Sequence, residues 1–147
     1  MSKRSVSAFI FFATLLTAGS LARAQRPLPN PVLAFAGSTP YETQGVKWTR
    51  YHYYIFNADE YPTALFVAAP ALPPCGVNKN SSRSWIDLFD QTGKRLYGFC
   101  AITDAKGLQD LYFNLQEGTI PPSWIYIEIS DRQTNTKYKS NLAETVL

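Results

Sequence analysis

Seven short runs rich in β-branched and aromatic residues fill the sequence from Val46 to Val146, each separated from the next by turn-forming residues. They are VKWTRYHYYIFN (46–57), TALFVAA (63–69), RSWIDLFD (83–90), KRLYGFCAI (94–102), LQDLYFNL (108–115), SWIYIEIS (123–130) and TKYKSNLAETV (136–146). Their period is two or absent, and no segment in this span repeats at helical spacing, so the chain is predicted to be all-β. The separators agree with that reading. NADEYP supplies Asn57, Asp59 and Pro62, and DQTGK places Asp90 and Gly93 at the first and fourth positions of a type I turn closing a hairpin.

Alternation assigns faces. Ile125, Ile127 and Ile129 fall on one side of their run, and Trp124, Tyr126, Glu128 and Ser130 on the other, so the isoleucines face the core. In 83–90, Asp87 marks the outward side and leaves Ile86 and Leu88 buried. Cys100 shares parity with Leu96 and Ile102, which predicts an inward side chain. Residues 25–45 carry Pro27, Pro29, Pro31 and Pro40 with Gly37 and Gly45 and no sustained period, so they read as a proline-rich lead-in in which VLAFA is the candidate for a short edge strand. The expected organisation is a leader (1–24), this lead-in (25–45) and one β domain (46–147).

The leader begins with Lys3 and Arg4, continues as an apolar stretch from about Val6 to Ala18, and ends in the small-residue pattern Ala22, Arg23, Ala24. These are the parts of a secretory signal peptide, with cleavage expected after Ala24. The stretch is shorter than the roughly 20 residues a spanning helix needs, and no later segment approaches that length. Export places the domain in a secreted or periplasmic compartment, without a transmembrane segment after cleavage. Removing the leader takes Lys3, Arg4 and Arg23 from the 14 basic residues and none of the 11 acidic ones, so the formal charge falls from +3 to zero. A neutral domain has no electrostatic footprint for nucleic acid or an anionic membrane.

Cys75 and Cys100 are the only cysteines. In an oxidising compartment they are expected to form one disulfide, pinning a loop to the edge of the core. They lie 25 positions apart, a closure that stabilises a fold by about 3.5 kcal/mol in the chain-entropy description. A metal pair or a reactive thiol fits less well, because the chain has one histidine and no Lys or Arg immediately beside either cysteine.

Seven short strands with turns between them point to a single antiparallel two-sheet sandwich. The order Cys75, Trp85, Cys100 resembles the immunoglobulin arrangement, and SWIYIEISDRQTNTKYKSN resembles the last hairpin of a fibronectin type III domain. The resemblance covers most of 46–146 as strand pattern. It departs in one respect: Cys100 follows Trp85 too closely to stand on the penultimate strand, so a Cys75–Cys100 bridge would not be the inter-sheet bridge of immunoglobulins. Fold-level likeness of this kind implies no activity.

For chemistry, the single histidine, His52, lies mid-run among aromatics, with no nucleophile signature such as Gly-x-Ser-x-Gly anywhere. Asp59, Glu60, Asp90, Asp104, Asp110, Glu117 and Asp131 sit at or near turns, and Asp87 and Glu128 on outward strand positions. No metal or other cofactor is implied, and an enzyme is not the leading class. Aromatic residues are the notable excess. Run 46–57 carries Trp48, His52, Tyr54 and Phe56 on one face and Tyr51, Tyr53 and Ile55 on the other. Such a strand is either covered on both faces or exposes an aromatic strip. In the second case Tyr51 and Tyr53, extended by Trp124 and Tyr126, are the candidate ligand-binding residues, stacking on a glycan or a protein partner. Asn80, followed by Ser81 and Ser82, satisfies the N-glycosylation pattern. The expected role is therefore a non-enzymatic module that binds a protein or glycan or serves the envelope structurally. A protease-inhibitor-like protein presenting the Cys75 loop, or a small secreted hydrolase, is the alternative.

Overall fold

The structure is a computed structural model and describes residues 27–74 and 82–146. Its strands are β1 (Leu33–Thr43), β2 (Val46–Ile55), β3 (Ser84–Asp90), β4 (Arg95–Phe99), β5 (Leu111–Gln116), β6 (Trp124–Asp131), β7 (Thr136–Lys139) and β8 (Ala143–Glu144). They form two antiparallel sheets. The first has the order β1-β2-β5; the second has the order β4-β3-β6-β7, with β8 also pairing with β6. The all-β expectation holds, and the two sheets are those of a β-sandwich. Among the described residues no helix is long and apolar enough to cross a membrane. The leader, Cys75 and Asn80 lie outside the described residues.

Each sheet turns one side to a shared core. Tyr53, Ile55, Leu111 and Phe113 come from the first sheet, and Ile86, Leu88, Ile125, Ile127 and Ile129 from the second. The isoleucine face of β6 and the Ile86/Leu88 pair are fully buried, as alternation requires. Tyr53 donates to or accepts from Thr145 through its hydroxyl at 2.7 Å. Burial pushes its phenol up to about 12, the Thr145 bond opposing that shift. At the β7–β8 break, Ile127 N donates to Ser140 Oγ at 2.9 Å, a side-chain oxygen standing where the ladder would offer a carbonyl. Asn141 then turns toward β1, accepting from Leu33 N at 2.9 Å and donating to Leu33 O at 3.1 Å, which ties the edge of one sheet to the other.

Three sequence expectations are corrected. First, the lead-in contains an edge strand of 11 residues, far longer than VLAFA, joined to β2 by the two-residue turn Gln44-Gly45. Both residues adopt positive φ, 52° and 72°, the demand of a type I′ hairpin turn. Glutamine is an unusual occupant of that position, so the turn is hard to read. Pro40 is tolerated because β1 pairs on one side only. Second, TALFVAA is no strand: Thr63–Leu65 is a 3₁₀ turn, and only Ala68 forms a bridge, to Ser82. Leu65 and Phe66 are both buried, and an extended chain would expose one of two successive side chains. Third, residues 108–110 of the LQDLYFNL run precede β5. Leu108 and Gln109 close a 3₁₀ turn, Ala105–Gln109, capped by Asp104. The inward side expected for Leu96 and Ile102 agrees with their packing on the core. Phe99 stands opposite Ile86 and Tyr97 opposite Leu88, and a register shift falls between Leu88 and Phe89. Phe99 also packs on the core, while Tyr97 is 38 % exposed.

A candidate binding face

Of the four aromatic residues singled out in the sequence, three cannot offer a ring to solvent. Tyr51 is 6 % exposed and Tyr53 0 %. Their rings stack on Phe113 at 5.2 and 5.9 Å, inside the core. The covered alternative holds for this face of β2, because β2 is the central strand of its sheet and the second sheet lies over it. Tyr126 is also buried, with its ring against Phe89 at 5.1 Å and Lys139 Nζ at 3.9 Å from the ring centre. Only Trp124, 40 % exposed, stays open.

The opposite face of the first sheet is where aromatic and cationic groups meet solvent. Cross-strand partners point to the same side, so the register lays out the face in rows: Tyr41, Trp48 and Gln116; Thr39, Arg50 and Asn114; Gly37, His52 and Tyr112. Arg50 stands at the centre. Its Nε donates to Asn114 Oδ1 at 3.0 Å, and its guanidinium carbon lies 4.3 Å from the Tyr112 ring centre and 5.2 Å from that of Tyr41. Stacking and the Asn114 bond together hold the fork in one place. Burial raises the Tyr112 hydroxyl pKa, with the nearby Tyr97 adding to the shift. From β4, Tyr97 and Phe99 reach round the edge of β5 to Tyr112, at 5.5 and 5.2 Å between ring centres.

His52 sits at the corner of this face with Nδ1 3.0 Å from Asp110 Oδ1. The carboxylate can only accept at neutral pH, so Nδ1 carries the proton. On the far side of the sandwich the β3–β6 register sets Asp87 beside Glu128. Each carboxylate is held by a cation, Arg95 at 2.6 Å and Lys137 at 3.1 Å. A Cβ at Gly98 would meet the Arg95 guanidinium and the Asp87 carboxylate in the positions they hold here. Among the described residues no three His, Cys, Asp or Glu side chains converge as metal ligands do.

Two depressions flank Tyr41. One, about 380 Å³, is lined by Thr39, Tyr41, Arg50 and His52. The other, about 360 Å³, is lined by Pro40, Tyr41, Glu42, Lys47, Trp48, Thr49 and Glu117. Gly37, opposite His52 in the register, adopts φ 125°, a backbone conformation that favours glycine.

The sequence reading passed over Tyr41, Arg50, Tyr97 and Tyr112. Tyr41 falls in the proline-rich lead-in, and Arg50 shares the parity of Trp48 and His52, the side of the run that holds no candidate residue. Comparison with protein-family models, curated proteins and solved structures finds no match to this chain.

Proposed function

We propose that this protein is a secreted or periplasmic, non-enzymatic β-sandwich module, released from its leader after Ala24, that recognises a protein or glycan through the outer face of its first sheet. One observation carries the reading: Arg50 is held between Tyr41 and Tyr112 beside two open depressions, so rings and a guanidinium are pre-organised at a surface. The strand orders 1-2-5 and 4-3-6-7 support a fibronectin type III-like topology over the constant-type immunoglobulin order, in which the fourth strand joins the first, second and fifth. A Cys75–Cys100 disulfide belongs to the same proposal. Ser82 N donates to Cys100 O at 2.9 Å, and Arg132 donates to both Pro73 O and Ser82 O, so the chain just before Cys75 is tied close to Cys100.

The test is binding of the exported protein to arrays of polysaccharides and envelope proteins, with Tyr41→Ala and Tyr112→Ala alongside. Retention of one partner class, lost in both variants at unchanged melting temperature, supports the reading. Retention untouched by either variant places recognition elsewhere and contradicts it. The Arg132 clamp also favours a second reading, an inhibitor-like loop between Pro73 and Ser82. Inhibition of a protease that is lost on Arg132→Ala while the fold survives would select that reading.

A further inference from the structure

Resting on the outer face as the recognition surface, we infer that its occupant is an acidic polysaccharide, with a uronic acid carboxylate on Arg50 and neutral sugar beside it. Lys47, Arg83, Arg95 and Lys137 each face a carboxylate. Arg50 forms no ion pair with any described residue. Its Nε is taken by Asn114, and no described residue accepts from its terminal Nη groups. Those groups are the fork that matches a carboxylate in two parallel hydrogen bonds. The depression beside it offers the rest of a sugar site: the Tyr41 ring as a stacking face, the Thr39 hydroxyl, and the His52 ring.

The neighbouring depression shares Tyr41, so a ligand can continue from one to the other as a polymer does. That second hollow carries Glu42 and Glu117, with Lys47 balancing only Glu117 at 3.9 Å. A second carboxylate would be repelled there, which selects neutral sugar. A peptide fits less well. It would dock most readily by extending the sheet from the exposed edge of β1, and that edge is interrupted by Pro40 and by the register shift between Phe35 and Gly37.

The experiment is an NMR titration of the exported protein with three probes: a short oligogalacturonate, a neutral oligogalactan of equal length, and a glutamate-rich peptide. Arg50 Nε–Hε and the Tyr41 ring are the reporters. The oligogalacturonate is expected to shift both, to bind at least about tenfold more tightly than the neutral oligomer, and to weaken with salt. Arg50→Lys, which keeps the charge and loses the fork, should weaken it by about tenfold, and Arg50→Gln should bring it to the neutral oligomer's level. Equal binding of acidic and neutral oligomers, or an Arg50→Gln protein that binds unchanged, overturns the inference and leaves the face as a recognition surface. Tighter binding of the peptide at Arg50 does the same. No shift at Arg50 or Tyr41 with any probe also overturns the inference, while the reading beneath it stands or falls on the array test with Tyr41→Ala and Tyr112→Ala.

Discussion

Replacing Asp131 with asparagine should destabilise the sandwich and remove one specific component of its acid sensitivity. Asp131 ends β6 opposite Ser84 of β3, and its side chain is 4 % exposed. Arg83 donates to it twice, Nε at 2.8 Å and Nη2 at 2.6 Å, while Gln133 N and Thr134 Oγ1 add bonds at 3.0 and 2.8 Å. The Arg83 hydrogen bonds, outweighing desolvation, pull the carboxyl from 3.8 to about 2. A pKa lower in the folded than in the unfolded chain stabilises the fold fully above about pH 4, and that stabilisation disappears as pH falls toward 2. The shift corresponds to about 2 kcal/mol. Near neutral pH, Asp131→Asn should cost about 3 kcal/mol, the low end for breaking a buried pair, because Arg83 retains some access to water. Urea unfolding of both proteins between about pH 7 and about pH 2 reads this directly. The gap between the two curves should close by about 2 kcal/mol below pH 4, since the asparagine does not titrate. A gap that stays constant down to pH 2, or closes above pH 5, refutes the role assigned to this pair.

Tyr53→Phe should cost about 1 kcal/mol through the lost Thr145 bond, and Tyr53→Ala about 3 to 5 kcal/mol; thermal melts that show no loss in either would mean that this face of β2 is not core. Asn141→Ala, which frees Leu33 N and O at the seam between sheets, should lower stability by about 1 to 2 kcal/mol and speed exchange of the Leu33 amide, and unchanged exchange there would deny the tie. Cys100→Ala should destabilise by about 3 kcal/mol if the bridge to Cys75 forms. Two titratable thiols in the purified, exported protein would remove the bridge.

How much was legible in the sequence depended on whether one local signal decided the outcome. The Ile125/Ile127/Ile129 face was readable because isoleucine recurs at every second position of β6, with Glu128 and Ser130 on the other side. The turn at Asp90 to Gly93 was readable for a similar reason: Asp90 Oδ1 accepts from Thr92 N and Lys94 N, and Gly93 N donates to Asp90 O, local bonds that these residue types encode. The binding face was not readable. β2 is aromatic on both sides, so its pattern cannot say which side meets the second sheet, and the choice is made by pairing with β1 and β5. β1 itself was hidden by Pro40 and by a turn with glutamine where a type I′ hairpin usually carries Asn, Asp or Gly. The register shift between β3 and β4 was not readable either, being a feature of the pairing rather than of the run.

Hydroxyl-radical footprinting of the exported protein, read tyrosine by tyrosine by mass spectrometry, tests the assignment of the two faces of β2 most directly. Tyr97, 38 % exposed, should label readily, Tyr41 and Tyr112 at intermediate rates, and Tyr51 and Tyr53 should be protected until the protein unfolds. Labelling of Tyr51 and Tyr53 in the folded protein, at or above the rates of Tyr41 and Tyr112, would contradict it.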